Sequence, residues 1–382
     1  MESSKKDYTI RQYRPGDEEK IVKLLIDVFQ PWPKFDIECS PIDHWRWKFI
    51  DDPANKGTYA HTVAALNGEI IGVDHAMLYY IKIGEGRYLS QKGGDTAVNP
   101  NYRGQGIYSK LTKLKHEVVN ELGYEFDYAL SNNPIFVKSG ERKRVNRDPE
   151  AEALFPHPLK SLIKINDVNK YFQYAVDEKD PWKKMFLKMG VYGAKFLNKI
   201  TNLNPRPTKT DVKIREITKF DDRINTFYEK IKPQYYFIVE KTAEYLNWRY
   251  CDKRGGNFKT WIAEEAGEIV GFMVLRVNRI NPEYPLGYVI DLLALDGRLD
   301  IVESFVSFAV GWFDGLSVNV VHTQLIGNHV YEGILGKYGF LDSRVKPHLT
   351  YRPWNVSAKD LELFRGASPS ELHYPYGEGD AI

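Results

Sequence analysis

Asp95-Thr-Ala-Val-Asn-Pro-Asn-Tyr-Arg-Gly-Gln-Gly-Ile-Tyr-Ser-Lys-Leu111 decides how this chain is read. Thr96, Ala97 and Val98 read as the end of a strand, and Asn99, Pro100 and Asn101 as a break. From Gln105 the pattern turns helical, with Ile107, Leu111, Leu114, Val118 and Leu122 on one face. Gly104 and Gly106 therefore sit where a strand hands over to a helix. The free N–H groups of a helix N-terminus point outward and carry partial positive charge. Glycines let a phosphate approach that backbone closely, and Arg103 adds a cation at the rim. The loop is built for an anion, most simply a pyrophosphate. It lacks the third glycine and the acidic ribose partner of a dinucleotide fold, and no Gly-Lys-Ser/Thr follows as in a nucleotide-triphosphate loop.

Outward from this loop, the chain repeats itself. Tyr8-Thr-Ile-Arg11, Asp17 and an apolar run through Ile21, Leu24, Leu25 and Val28 are echoed by Val212-Lys-Ile-Arg215, Asp222 and Ile224, Phe227, Tyr228 and Ile231. Each reads as strand, capping Asp and helix. Trp47-Lys-Phe49 is echoed by Trp248-Arg-Tyr250, and Asn67-Gly-Glu-Ile-Ile-Gly72 by Ala266-Gly-Glu-Ile-Val-Gly271. Asn67-Gly68 is a hairpin signal, because a type I′ turn wants positive φ at both central positions. Asp95 is matched by Asp291, the start of Asp291-Leu-Leu-Ala-Leu295. Echoes in one shared order point to duplication, with repeats over 1–150 and 213–352, a connector over 151–212 and a tail over 353–382. The connector holds several prolines and a basic amphipathic stretch, 182–199, expected as an interdomain helix covering exposed core. Membrane-surface contact is the other reading of that stretch. The tail's aromatics suggest that it docks.

The setting of the first loop resembles the acetyl-CoA-binding motif of the GNAT acyltransferase superfamily. The family's Gln/Arg-x-x-Gly-x-Gly/Ala falls on Asn101-Tyr-Arg-Gly-Gln-Gly106, with Asn101 departing at the first position. The resemblance implies an α/β (α+β) fold of two tandem domains. Each would be a mixed, mostly antiparallel twisted sheet flanked by helices. It implies acyl-CoA, acetyl-CoA in the simplest case, as donor to a primary amine of a small molecule. Arg103, Gly104, Gln105, Gly106, Ile107 and Tyr108 would hold the donor's pyrophosphate end, and Ala97 and Val98 its pantetheine arm. An N–H near Val98 would steady the oxyanion. Phe126-Asp-Tyr-Ala-Leu-Ser131 would form the opposite lip, with Ser131, Asn132 and Asn133 near the thioester: Asn132 as a catalytic group and Asn133 against the donor.

Direct attack by an amine needs a base, and an acid for the leaving thiolate. Asp95, Asp74 and His75 are the candidate bases. The family's tyrosine acid has no counterpart in Pro134-Ile-Phe-Val-Lys-Ser-Gly140, where Phe136 is the nearest aromatic. Tandem members of this kind resemble one another in a Gly- and Asp-rich acidic end, here Glu378 and Asp380, which could bring a carboxylate to the site. The second repeat has no Arg-Gly-x-Gly after Leu295. It is expected to have kept the fold and lost the phosphate site, with Tyr331 as a structural residue. The acceptor is expected between the repeats.

Composition narrows the alternatives. The 382 residues exceed one ordinary core, and 43% hydrophobic with 27% charged residues reads as globular. A net charge of +2 gives no reason to expect nucleic acid. Cys39 and Cys251 suggest neither a disulfide framework nor a metal site. The first residues lack the apolar stretch of a signal peptide and no run is long enough to span a membrane, so a cytoplasmic address is expected. A monomer or homodimer is expected, since a duplicated fold buries its own interface. An acyl-CoA sensor without turnover would use the same loop. An aminoacyl-tRNA-dependent relative would not, since those enzymes lack it.

Overall fold

A computed structural model describes residues 8–55, 57–131, 134–146, 152–176, 179–201 and 212–379. The first repeat contributes strands β1 (Thr9–Gln12), β2 (Thr62–Leu66), β3 (Glu69–Ile83), β4 (Gly86–Val98) and β5 (Phe126–Ser131). Next come β6 (Ala153–Leu154), β7 (Leu159–Ile165), β8 (Lys213–Ile217) and β9 (Phe237–Val239). The second repeat continues with β10 (Phe258–Glu265), β11 (Glu268–Asn278), β12 (Leu286–Ala294), β13 (Val320–Ile326), β14 (Leu341–Asp342) and β15 (His348–Pro353). They form two mixed sheets flanked by helices, ordered β1-β2-β3-β4-β5-β15-β6 with β9 on β3, and β14-β7-β13-β12-β11-β10-β8.

The echoes correspond to matching structure. Asn67 and Gly68 turn with φ 50° and 81°, and Ala266 and Gly267 with φ 50° and 84°. One residue slips out of register just before each turn, at Ala64/Ala65 and at Ala263/Glu264. Gly72 and Gly271 lie under the helices Ile107–Glu121 and Leu299–Gly315. A β-carbon at Gly72 would sit 3.0 Å from Ile107 Cγ2, and one at Gly271 3.1 Å from Ile301 Cγ2. Trp47 and Trp248 stack with centroids 5.2 Å apart. Each indole N–H donates to the other's carbonyl, Trp47 Nε1 to Trp248 O at 2.8 Å and Trp248 Nε1 to Trp47 O at 3.0 Å. This reciprocal pair fastens the two halves together at equivalent points.

The boundaries read from sequence do not divide the sheets. In each half the second strand after the last helix crosses to the other sheet. β7 pairs with β13, and β15 pairs with β5. The connector expected as helical over 151–212 therefore carries β6 and β7 ahead of the helix Pro181–Thr201. The reason is edge protection: β5 and β13 would otherwise be bare edges. A run as short as Leu159–Ile165, preceded by Pro156 and Pro158, carries little periodic signal.

Candidate functional site

β4 and β5 run parallel and pair at Ser90–Phe126, Gln91–Asp127 and Lys92–Tyr128, where the pairing ends. Beyond it β4 stays on β3 as far as Val98, and β5 stays on β15 as far as Ser131. A wedge-shaped gap opens between Gly93–Val98 and Ala129–Ser131. A bulge shapes its β4 side. The register with β3 slips between Val73 and His75, and Asp95 takes φ 44°, a conformation non-glycine residues seldom adopt. Asp95, Thr96 and Val98 on one lip and Ala129, Leu130 and Ser131 on the other are all partly exposed; Ala97 is buried.

The loop after β4 lies at the mouth of this gap. Gly104 and Gly106 have φ 78° and 72°, and nothing lies within 4 Å of where a β-carbon would stand on either. Protein packing does not demand glycine there; the backbone conformation and open space above it do. Gly106 caps Ile107–Glu121 without a side-chain hydrogen bond, and Lys110 N is the first helix N–H to return, to Gly106 O at 3.2 Å. The amides of Ile107, Tyr108 and Ser109 precede it in the first turn and have no partner within the helix, as an anion site requires. Arg103 Nε donates to Val98 O at 3.3 Å with its head exposed. The Tyr8 hydroxyl donates to Gln105 O at 3.1 Å and receives Lys110 Nζ at 2.8 Å, which steadies the loop.

The acetyltransferase (GNAT) domain family matches residues 9–137. That stretch is a GNAT domain. No curated protein matches the chain by sequence. Among solved structures, the chain is similar in fold to a probable N-acyltransferase from Enterococcus faecalis V583 (TM-score 0.60, 12% identity, 91% of this chain and 73% of that one). It is similar to Saccharomyces cerevisiae N-myristoyltransferase, solved with bound myristoyl-CoA and inhibitors (TM-score 0.60, 12% identity, 96% and 86%). It is also similar to a GCN5-related N-acetyltransferase from Anabaena variabilis (TM-score 0.58, 9% identity, 91% and 73%). The fold expected from the sequence, two GNAT-like sheets with flanking helices, is the fold observed.

Within the GNAT domain the candidate bases separate. Asp95 Oδ2 accepts from Lys48 Nζ at 2.7 Å beside the gap, with the carboxylate still partly exposed. His75 is fully buried. Its Nε2 accepts from Trp45 Nε1 at 3.0 Å, its Nδ1 donates to Asp95 O at 3.2 Å, and Phe49 stacks on the ring at 4.0 Å. Burial, then the nearby His61 and Lys48, holds its pKa well below the usual imidazole value. With both nitrogens engaged inside the core, His75 positions the bulge rather than meeting a substrate, and we set it aside as a base. Asp74 is also buried. It accepts from Thr96 Oγ1 at 2.7 Å, Thr112 Oγ1 at 3.0 Å and Lys115 Nζ at 2.9 Å. Asn132, Asn133 and Asp380 lie outside the described residues, as does the side chain of Phe136.

Several residues here were missed by reading the sequence. Lys48 stands inside Trp47-Lys-Phe49, where no local pattern marks it as the partner of Asp95. Lys115, which interrupts the helical face, is buried beneath the gap. Asp127, on β5, is buried as well. Burial, then the Glu152 charge, pushes its carboxyl up to about 7 against the pull of Lys115 and Arg352.

The second half has the same gap. β12 and β13 pair only at Leu286–Val320, Gly287–Val321 and Tyr288–His322, then diverge. Here the C-terminal tail fills it. Leu372, His373, Tyr374 and Pro375 line what remains, with Asp291, Thr323, Gln324, His329 and Tyr331: a cavity of about 30 Å³, room for about one water. Asp291 receives Lys241 Nζ at 2.9 Å, the Tyr250 hydroxyl at 3.1 Å and His373 Nε2 at 2.9 Å. Burial would raise its pKa, but Lys241 and His373 hold it well below the carboxylate range. Glu378 completes the cluster on Lys241 at 2.7 Å. Lys92 Nζ, at the apex of the first gap, donates to Glu378 O at 2.7 Å, and Arg249 donates to Gly377 O at 2.7 Å. A β-carbon on Gly377 would overlap the Tyr250 hydroxyl, so only glycine passes there. The tail therefore docks as expected, but Glu378 is committed to Lys241 and is buried. No cluster of metal-ligating side chains occurs among the described residues.

Proposed function

We propose that the protein is an acyl-CoA-dependent N-acyltransferase whose one donor site is the first gap. The observation that carries this is the difference in lining between two gaps of equal geometry. Beside the first lie Asp74, Thr96, Thr112, Lys115, His116 and Asp127. At the equivalent positions of the second half stand Met273, Leu292, Val306, Ala309, Val310 and Val321, which pack as one apolar cluster. An amide-bearing pantetheine arm suits the polar set, and buried polar groups without such a purpose are a cost. The match of residues 9–137 to the GNAT family and the bare glycine helix start support the same reading.

Ala97 and Val98 would hold the arm through their backbone, and Arg103 to Tyr108 the pyrophosphate. The amine nitrogen would attack the thioester carbonyl; the C–N bond forms, the C–S bond breaks, and the displaced thiolate takes up the proton that the amine loses. Asp95 is the group we assign to that proton. It stands at the gap, partly exposed and in an ion pair with Lys48, where it can take that proton from the attacking nitrogen and pass it on to the thiolate. The acceptor is proposed to be a primary amine of a small molecule, the donor acetyl-CoA or a longer acyl-CoA. The chain would act as a monomer or homodimer in the cytoplasm. Repeats over 1–150 and 213–352, with a connector and tail that exchange strands between them, remain our proposal for its domains.

The test is direct. Acetyl-, octanoyl- and myristoyl-CoA are incubated with a panel of primary amines, and free thiol is followed. Amine-dependent thiol release above buffer, abolished in Asp95→Ala, is expected. Donor binding with no release for any pair would replace the enzyme by an acyl-CoA sensor.

A further inference from the structure

The helix Pro181–Thr201 is mounted with its apolar side outward. Trp182, Met185, Phe186, Met189 and Phe196 follow the spacing of a single helix face. An ordinary surface helix turns such a face to the core. Here Trp182 is 70% exposed, Phe186 and Phe196 64%, and Met189 60%. The opposite side meets the protein. Val191 packs toward Phe172 and Tyr284, Lys184 Nζ donates to Val176 O at 3.5 Å, and Lys195 Nζ to Asn166 O at 3.2 Å. The helix covers a small apolar cluster with one side, and its broader apolar face stands uncovered. Patches of this kind mark interaction sites.

Charge says which partner fits. Between Pro181 and Thr201 the sequence holds Lys183, Lys184, Lys188, Lys195 and Lys199 and no Asp or Glu. Exposed Lys183 flanks the apolar stripe on one side and half-buried Lys188 on the other. An aromatic stripe bordered by lysines, with no acid, is the pattern of a helix lying in the plane of an anionic lipid surface. No helix of the described residues is long and apolar enough to cross a membrane, so the contact is with the surface. We infer that this helix docks the protein onto an anionic lipid bilayer, seating Trp182, Phe186, Met189 and Phe196 among the acyl chains and Lys183 and Lys188 at the headgroups. This inference does not depend on the acyltransferase reading.

The full chain is floated with vesicles of phosphatidylcholine alone and of phosphatidylcholine with phosphatidylglycerol. Binding to the anionic vesicles only, weakening as salt is raised, is expected. The double variant Phe186→Ser/Phe196→Ser removes exposed side chains, so its far-UV spectrum should stay unchanged while vesicle affinity falls by about a hundredfold. Trp182 supplies a second readout: its emission, isolated by difference against Trp182→Phe, should move to the blue on anionic vesicles. Equal flotation of the wild type and the double variant would overturn the proposal. So would absence of vesicle binding together with a dimer in solution that the double variant dissolves, which would make the face a contact between copies of this chain.

Discussion

The two gaps of this molecule are built alike and used differently. Each opens where a parallel strand pair ends, beside a bulge with an aspartate, Asp95 in one and Asp291 in the other. The first is bordered by partly exposed strands and leads to a glycine loop whose amides are bare. The second is fully buried, and its lips are closed by the chain's own tail. Even the helix starts differ. Arg298, at the start of the second helix, spends its guanidinium on Glu265 at 2.8 Å and Asp300 at 2.9 Å. Arg103 keeps its head in solvent. A duplicated fold thus retains its geometry while the side chains decide whether a gap stays open or is plugged.

This comparison can be broken most directly at the aspartates. Asp291→Ala should cost about 3–5 kcal/mol, because Lys241 stays buried with half its partners gone. Asp95→Ala also deprives a buried lysine, Lys48, of an acceptor, but at a carboxylate that still reaches solvent, and should cost less, about 1–3 kcal/mol. Urea unfolding of both variants checks this, and equal losses would mean that the two gaps are equally sealed. The Asp291 pKa is lowered in the folded state. Its contribution is therefore complete above the unfolded value near 4 and lost as pH falls below it. The gap in stability between wild type and Asp291→Asn should accordingly close in acid.

A second contrast concerns the loops. Gly106→Glu forces a side chain into a left-handed position and sets a carboxylate where the pyrophosphate is placed. Acetyl-CoA affinity should fall by about a hundredfold, roughly 2.7 kcal/mol, in a calorimetric titration. Gly297→Glu, in the corresponding loop of the second half, should leave it unchanged. If both variants bind normally, the loop assignment fails.

The smallest effect sharpens the polar lining. Asp127 holds its proton up to about pH 7 when folded but releases it near 4 when unfolded. Native protein binds more protons between those values, so stability falls as pH rises through that window. Asp127→Asn should remove this loss, so the variant gains on the wild type as pH rises from 4 to 8 and differs little from it at pH 4. A gain independent of pH would show that Asp127 is not buried as an acid.

Much of this was legible in the linear chain because it is local. Strand periodicity, the turn at Asn67-Gly68 and the glycines before Ile107 each act within a few residues, and so read directly. The bulge pair His75 and Asp95 was visible only as polar residues in strands. Which of them faces the gap depends on Trp45 and Lys48, from a helix tens of residues earlier. The helix 181–201 is legible as amphipathic, but which of its sides packs on the protein and which stays exposed is not. Periodicity defines a face, not what that face meets.

The sequence by itself determined the duplicated GNAT-like fold and the glycine-bearing turn from β4 into the helix Ile107–Glu121, since backbone conformation and periodic burial are short-range. Tertiary structure alone decided the exchange of β7 and β15, the tail that seals the second gap and the burial of His75. Each of these depends on groups far apart in the chain competing for the same edge or cavity, and that competition is settled only when the whole molecule packs.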